Sequence, residues 1–243
     1  LMEKPGNPAV LFDDIPGYPR GCRVLGNVLT SHKRVAISGG LDPCSTKLEL
    51  VDKWRQFSQA NKLVPFEVAQ SGSVTEYEAS GVAGFPAPRW HEDDGGRYIG
   101  TGCLVIMKDP DSGWINTGAY RVQVHDECTL GIMITRGRNG DAIMRKYWQR
   151  GQACPVAVSL GHHPLFLMLA GIPLPEGTCE YDFAGGIAGQ PVPVVDMPRT
   201  RLPVPAEAEL AVEGEIPPDE RHQEGPFGEW TGYYAAPEAP QPI

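Results

Sequence analysis

Short apolar runs broken by glycine and proline set the rhythm of the chain. Ala9-Val10-Leu11-Phe12 and Val35-Ala36-Ile37-Ser38 are two such runs, and their length and flanking breakers predict buried strands. Between residues 45 and 62 the apolar positions Leu48, Val51, Trp54 and Phe57 recur every three residues, which predicts one face of a helix with Ser45 as its cap. This opening reads as an α/β segment. From Phe85 onward the pattern changes: Gly-rich turns separate the runs 98–107, 114–124, 129–135 and 156–160, which predicts an antiparallel barrel or meander.

Finer punctuation supports that division. Asp109-Pro110-Asp111-Ser112-Gly113 has the chemistry of a hairpin connection, so residues 116–121 fall on the returning strand. Ile143, Met144, Tyr147 and Trp148 stand at helical spacing within residues 141–150, with Asn139 or Asp141 as the expected cap. Pro164 opens a second apolar helix, residues 165–169, that stops at Gly171. Glu207, Glu209, Glu213 and Glu215 alternate with Ala208, Leu210, Val212 and Gly214, the pattern of a half-exposed strand.

Composition narrows the function classes. With 41% hydrophobic and 21% charged residues in 243, the chain has the balance of a globular protein with a sizeable core. Its longest apolar run, 164–174, is interrupted by Gly171 and Pro173 and falls short of the roughly 18 residues of a membrane helix. A membrane span is not expected. A net charge of −9 repels a phosphate backbone, so nucleic acid is not an expected partner either. Six scattered cysteines without a CxxC pair or secretory signal read as reduced thiols in a cytoplasmic protein. Both ends of the chain read as loops: Leu1-Met2-Glu3-Lys4-Pro5-Gly6 as the middle of one, and residues 235–243 as a tail or a loop cut before the next element. The expectation is a fragment of a longer protein.

Taken singly, the polar motifs leave alternatives open. His91-Glu92-Asp93-Asp94 has metal-ligating atoms, as a hydrolase would need, but the following Gly95-Gly96 says turn. His162-His163 before Pro164 fits a loop or a helix start better than a ligand pair, and His125-Asp126-Glu127 closes a strand. Neither a phosphate loop of the GxxxxGK[ST] type nor a GxSxG nucleophile elbow is present. Glu224-Gly225-Pro226-Phe227-Gly228-Glu229 places two carboxylates about a forced bend, so both can face one site. With an arginine between them such a pair serves proton transfer; without one it is a surface turn. The turn Pro173-Leu174-Pro175-Glu176-Gly177-Thr178-Cys179-Glu180 also ends in an acid.

Together, three segments resemble the UbiD family of prenylated-FMN decarboxylases, which includes the 3-polyprenyl-4-hydroxybenzoate and ferulic acid decarboxylases. They are Asn116-Thr117-Gly118-Ala119-Tyr120-Arg121, the 173–180 turn with Tyr181-Asp182-Phe183-Ala184-Gly185-Gly186 after it, and the 224–229 segment. Residues 89–99 resemble the hairpin that opens the family's cofactor domain. The resemblance implies an α+β fold: a partial N-terminal α/β domain over residues 1–85, then a split β-barrel, flavin reductase-like domain over 86–243. The family's C-terminal oligomerisation domain is not covered, and a homo-oligomer is expected at full length.

The resemblance also implies roles. Arg121, Glu224 and Glu229 match the family's Glu-Arg-Glu network, with Glu229 as proton donor and Arg121 orienting the substrate carboxylate. Asn116, Thr117, Gly118, Ala119, Arg121, Arg138, Ile172, Pro173 and Glu180 match positions that hold prenylated FMN. Asn116 and Glu180 match ligands of a divalent metal, usually Mn2+, with K+ nearby. Where the family commonly has a third metal-site histidine, the best match is Asn139, able to offer a carbonyl oxygen or merely to cap a helix. The implied reaction is reversible, non-oxidative decarboxylation of an aromatic, heteroaromatic or α,β-unsaturated acid, with a flavin prenyltransferase supplying the cofactor. A non-catalytic flavin-binding partner subunit of the same fold is the alternative.

Overall fold

The computed structural model describes residues 6–229, 231–234 and 241–242. Of the end loops read at residues 1–6 and 235–243, residues 1–5, 235–240 and 243 lie outside the described residues, while Gln241–Pro242 form a short strand rather than a loop. Strands β1 (Val10–Phe12) and β2 (Val24–Gly26) pair as a hairpin, followed by helices α1 (His32–Ser38) and α2 (Lys47–Ala60).

Three expectations are corrected in this segment. The run at 35–38 is not a strand: Ser31 accepts a hydrogen bond from Arg34 N, which starts α1 and winds the four residues into its end. Strand β1 is not buried, since Leu11 is 50% exposed. Helix α2 is capped by Thr46 rather than Ser45, through a capping box with Glu49. Its inner face carries Leu50, Trp54 and Phe57, spaced four and three apart, while Leu48 and Val51 point outward.

Beyond β3 (Glu67–Val68), the runs 98–107 and 114–124 each fold as two strands. The first becomes β4 (Arg97–Gly100) and β5 (Leu104–Lys108), the second β6 (Ile115–Gly118) and β7 (Val122–Val124). β5 pairs with β6 through the expected hairpin, closed by Asp109 N donating to the Trp114 carbonyl, while β4 pairs with β7. This double ribbon thus passes from one sheet to another, and residues 119–121 sit at its corner.

On one side of the corner β7 pairs with β8 (Leu130–Ile132), giving the sheet order β4-β7-β8. Helix α3 (Asn139–Gln149) and strand β9 (Cys154–Leu160) follow, then α4 (Pro164–Ala170) and α5 (Glu180–Ala188). Strands β10 (Pro193–Asp196) and β11 (Pro203–Pro205) complete a sheet of order β11-β10-β3, and β12 (Leu210–Ile216) one of order β12-β9-β5-β6. Strand β13 (Arg221–His222) pairs with β14 (Gln241–Pro242). The described strands form separate, mostly antiparallel sheets rather than a closed ring.

Two cores result. One lies between β5, β9, β10, α4 and α5, with Trp54 and Phe57 of α2 packed against it; the other lies between β4, β5, β7, β9 and α3. Helix α4 starts at Pro164 and stops at Gly171 as expected. Neither Asn139 nor Asp141 caps α3. Arg138 holds the cap position, Asn139 is the first helical residue, and the Asp141 carboxylate accepts from Gly137 N and Arg145. All six thiols are free. Among the described residues no helix is long and apolar enough to cross a membrane.

Candidate functional site

The corner between β6 and β7 is shaped by one ring. Tyr120 turns its face over Gly118, where a Cβ would lie 2.2 Å from the ring, and its hydroxyl accepts a hydrogen bond from Gly140 N at 3.3 Å. Glycines in two separate motifs, NTGAYR and RNG, are thereby explained by the same side chain. The phenol pins the start of α3 to the corner, and with Arg121, Arg138, Phe227 and Glu229 it lines a cleft of about 470 Å³.

Arg121 follows at the corner and is held on three sides. Its Nε and Nη2 donate to the two oxygens of Glu224, both at 2.7 Å, and Nη1 donates to Glu229 Oε1 at 2.7 Å. Its guanidinium carbon lies 5.1 Å from the centre of the Phe227 ring. Three of the five guanidinium N–H groups are thus committed and two remain for a ligand. Burial alone favours loss of Arg121's charge, but the bonds and charge of Glu224 outweigh it and raise its pKa.

The two glutamates differ in setting. The Glu224 side chain is 0% exposed and bidentate, whereas that of Glu229 is 38% exposed and holds Arg121 by one contact. Glu224 Oε1 also accepts from the Tyr98 hydroxyl at 3.0 Å. The loop bearing both acids is fastened to the 91–96 turn: Asp94 accepts from Trp90 N, His91 N and Gly228 N, and Gly95 N donates to the Pro226 carbonyl at 2.7 Å. Gly95 has no alternative, because a Cβ there would sit 2.0 Å from the Gly225 carbonyl oxygen. The His91-Glu92-Asp93-Asp94 run is therefore a fastening, with its buried acid already committed to three backbone donors.

On β6, Asn116 Nδ2 donates to Glu180 Oε1 at 3.2 Å and Thr117 N to Glu180 Oε2 at 2.8 Å, joining β6 to the first residue of α5. Burial pushes the Glu180 carboxyl up to about 7. Beside it the Thr117 hydroxyl is buried with no hydrogen-bond partner. A desolvated carboxylate with an amide and a hydroxyl beside it offers hard oxygen donors of the kind a divalent cation takes. Among the described residues no three His, Cys, Asp or Glu side chains cluster as a metal site, so such a cation would depend on amide and hydroxyl oxygens.

Of the other expected positions, Ala119 lines the cleft with Arg121 and Arg138, and its N–H reaches the Ala170 carbonyl at the end of α4. Ile172 and Pro173 line instead a neighbouring hollow of about 340 Å³ against Trp54 of α2. Asn139 stands at the start of α3, one residue before the Gly140 that binds Tyr120. His163 caps α4, accepting from Leu165 N, and His162 lies within 3.3 Å of the Ser159 hydroxyl. Sequence reasoning missed Tyr98 and Tyr120. Each lies within a quoted motif, but only the fold shows what its hydroxyl meets.

Residues 66–243 match the family model UbiD, described as a 3-octaprenyl-4-hydroxybenzoate carboxy-lyase Rift-related domain. The chain is 37% identical over 249 aligned residues to the pyrrole-2-carboxylic acid decarboxylase of Pseudomonas aeruginosa, covering 97% of this chain and 50% of that protein. Its structure resembles the closed form of vanillic acid decarboxylase from Sedimentibacter hydroxybenzoicus, with TM-score 0.88 and 30% identity over 97% of this chain and 51% of that one. It also resembles an evolved dimeric form of the UbiD-class enzyme HmfF from Pelotomaculum thermopropionicum in complex with prFMN, with TM-score 0.87 and 28% identity over 98% and 54% of the two chains. The chain spans about half the length of the relatives it matches.

Proposed function

The chain belongs to the UbiD family of carboxy-lyases, and from that premise we propose that it carries the flavin-binding and acid-bearing part of a prenylated-FMN decarboxylase. The substrate class is an aromatic, heteroaromatic or α,β-unsaturated carboxylic acid, and the reaction is non-oxidative and reversible. The observation that supports this most is Arg121 held between Glu224 and Glu229 on the wall of a cleft.

When bound, prenylated FMN supplies the electron sink that an sp2 carbon needs as its carboxyl departs, which no side chain provides. The chain's own residues do the rest. The two uncommitted N–H groups of Arg121 orient the substrate carboxylate. As the carbon–carbon bond breaks, CO2 leaves, and the protonated Glu229 carboxyl gives its proton to the carbon that lost it. Solvent at the partly exposed Glu229 returns a proton for the next turnover. Glu224 holds Arg121 in place throughout.

Asn116 and Glu180 would hold a divalent cation, Mn2+ or another, with Asn139 as third candidate and K+ alongside; the positive charge would neutralise the flavin phosphate. A flavin prenyltransferase would deliver the cofactor in the cytoplasm, and the split-barrel form and homo-oligomer would belong to the complete protein.

The test is made in the complete reading frame. Glu229→Gln is expected to lower turnover by at least about a hundredfold while flavin content stays at the parent level; a fully active variant would refute the assignment. Glu180→Ala is expected to lose metal and flavin together, measured by elemental analysis and absorbance, and retention of both contradicts the cation site.

A further inference from the structure

We propose that Tyr98 is a positioning residue: the hydrogen bond from its phenol to Glu224 fixes that carboxylate, and through it the orientation of the Arg121 guanidinium. The assignment rests on the reading of Arg121 and Glu224 given above and adds a residue to it.

Tyr98 lies on β4, the strand that crosses behind the corner, and is 0% exposed. Its hydroxyl lies 3.0 Å from Glu224 Oε1 and 3.4 Å from Gln123 Oε1, so its one proton goes to the nearer, charged oxygen. Gln123 Oε1 in turn accepts from Gly225 N, the residue after Glu224, at 3.2 Å. Glu224 Oε1 therefore receives two donors, Tyr98 and Arg121 Nε, and cannot rotate without losing both. The ring also packs against Phe227 at a centroid distance of 4.6 Å, and Phe227 forms the floor beneath Arg121. One side chain thus supports the arginine twice, through the acid and through the aromatic floor. Burial first and the adjacent Glu224 second raise the phenol's pKa well above its ordinary value, so it remains a donor across the working range.

Tyr98→Phe keeps the ring packing and removes only the donor. In the full-length protein without cofactor, the Arg121 Nε–H proton, assigned by its disappearance in Arg121→Lys, is expected to exchange with solvent about tenfold faster in Tyr98→Phe. Tyr98→4-aminophenylalanine, which returns a donor, is expected to restore slow exchange. An Nε–H signal unmoved by Tyr98→Phe overturns the proposal, whatever the activity. In the loaded enzyme Tyr98→Phe is expected to lower kcat/KM by about ten- to a hundredfold, with flavin content unchanged. That loss is expected to vanish in a Glu224→Ala background, because the acceptor of the Tyr98 proton is then gone. Additive losses would mean that Tyr98 acts by some other route and would sink the proposal. A parent protein that binds flavin but decarboxylates nothing fails the functional reading alone, and the exchange measurement still decides the role of Tyr98.

Discussion

Arg121 gathers most of the site's energetics into one side chain. Its bond to Glu224 is buried and bidentate, so removing the arginine strands a carboxylate with 0% side-chain exposure. Arg121→Ala is therefore expected to destabilise the protein by about 3–5 kcal/mol. Glu229→Ala, at a partly exposed carboxylate with one contact, is expected to cost about 1 kcal/mol or less. Chemical denaturation of both variants checks this; equal losses would contradict the division between an anchoring and a reacting acid. His162 offers a pH test away from the site. Burial is the main cause that lowers its pKa from 6.5 to about 4. Between those values the unfolded chain binds the proton and the folded one does not, so this residue's contribution falls as pH falls from 6.5 towards 4. Melting curves over that range are expected to show His162→Leu closing its stability gap to the parent as the pH drops, and a constant gap would contradict the assignment.

At the scale of elements, the corner between β6 and β7 depends on the two glycines under Tyr120. Gly118→Ala would drive a methyl into the ring and is expected to cost about 1–3 kcal/mol. Because the same ring binds the start of α3 and lines the cleft, the variant is also expected to lose flavin, read by absorbance of the purified protein. A variant that keeps both stability and flavin would show that the corner is not built this way. The elements also show what the sequence can and cannot disclose. The 109–113 hairpin, the Pro164 start and Gly171 stop of α4, and the two acids about the 224–229 bend were legible, because turn chemistry and charge in an apolar setting are local signals. Helix α1 was not, since three apolar residues in a row, Val35-Ala36-Ile37, have no period that separates strand from helix. The inner face of α2 was misread by one position because Leu48 and Val51 fit a helical stripe equally well yet stay exposed. Tyr98 was not legible because its partner Glu224 lies 126 residues away, and only the fold brings them together.

At the scale of the whole molecule, two cores meet along a double ribbon whose corner carries the arginine, and the acids arrive from the far end of the chain on a loop clamped by the 91–96 turn. The distance between these segments in sequence makes the site a property of the complete fold. Prenylated FMN as the occupant of this cleft is the central proposal. Its most direct test is anaerobic co-expression of the complete reading frame with a flavin prenyltransferase, in the presence of Mn2+ and K+, followed by mass spectrometry of the released cofactor. The mass of prenylated FMN is expected in the parent protein; folded protein carrying no flavin under these conditions would contradict the proposal.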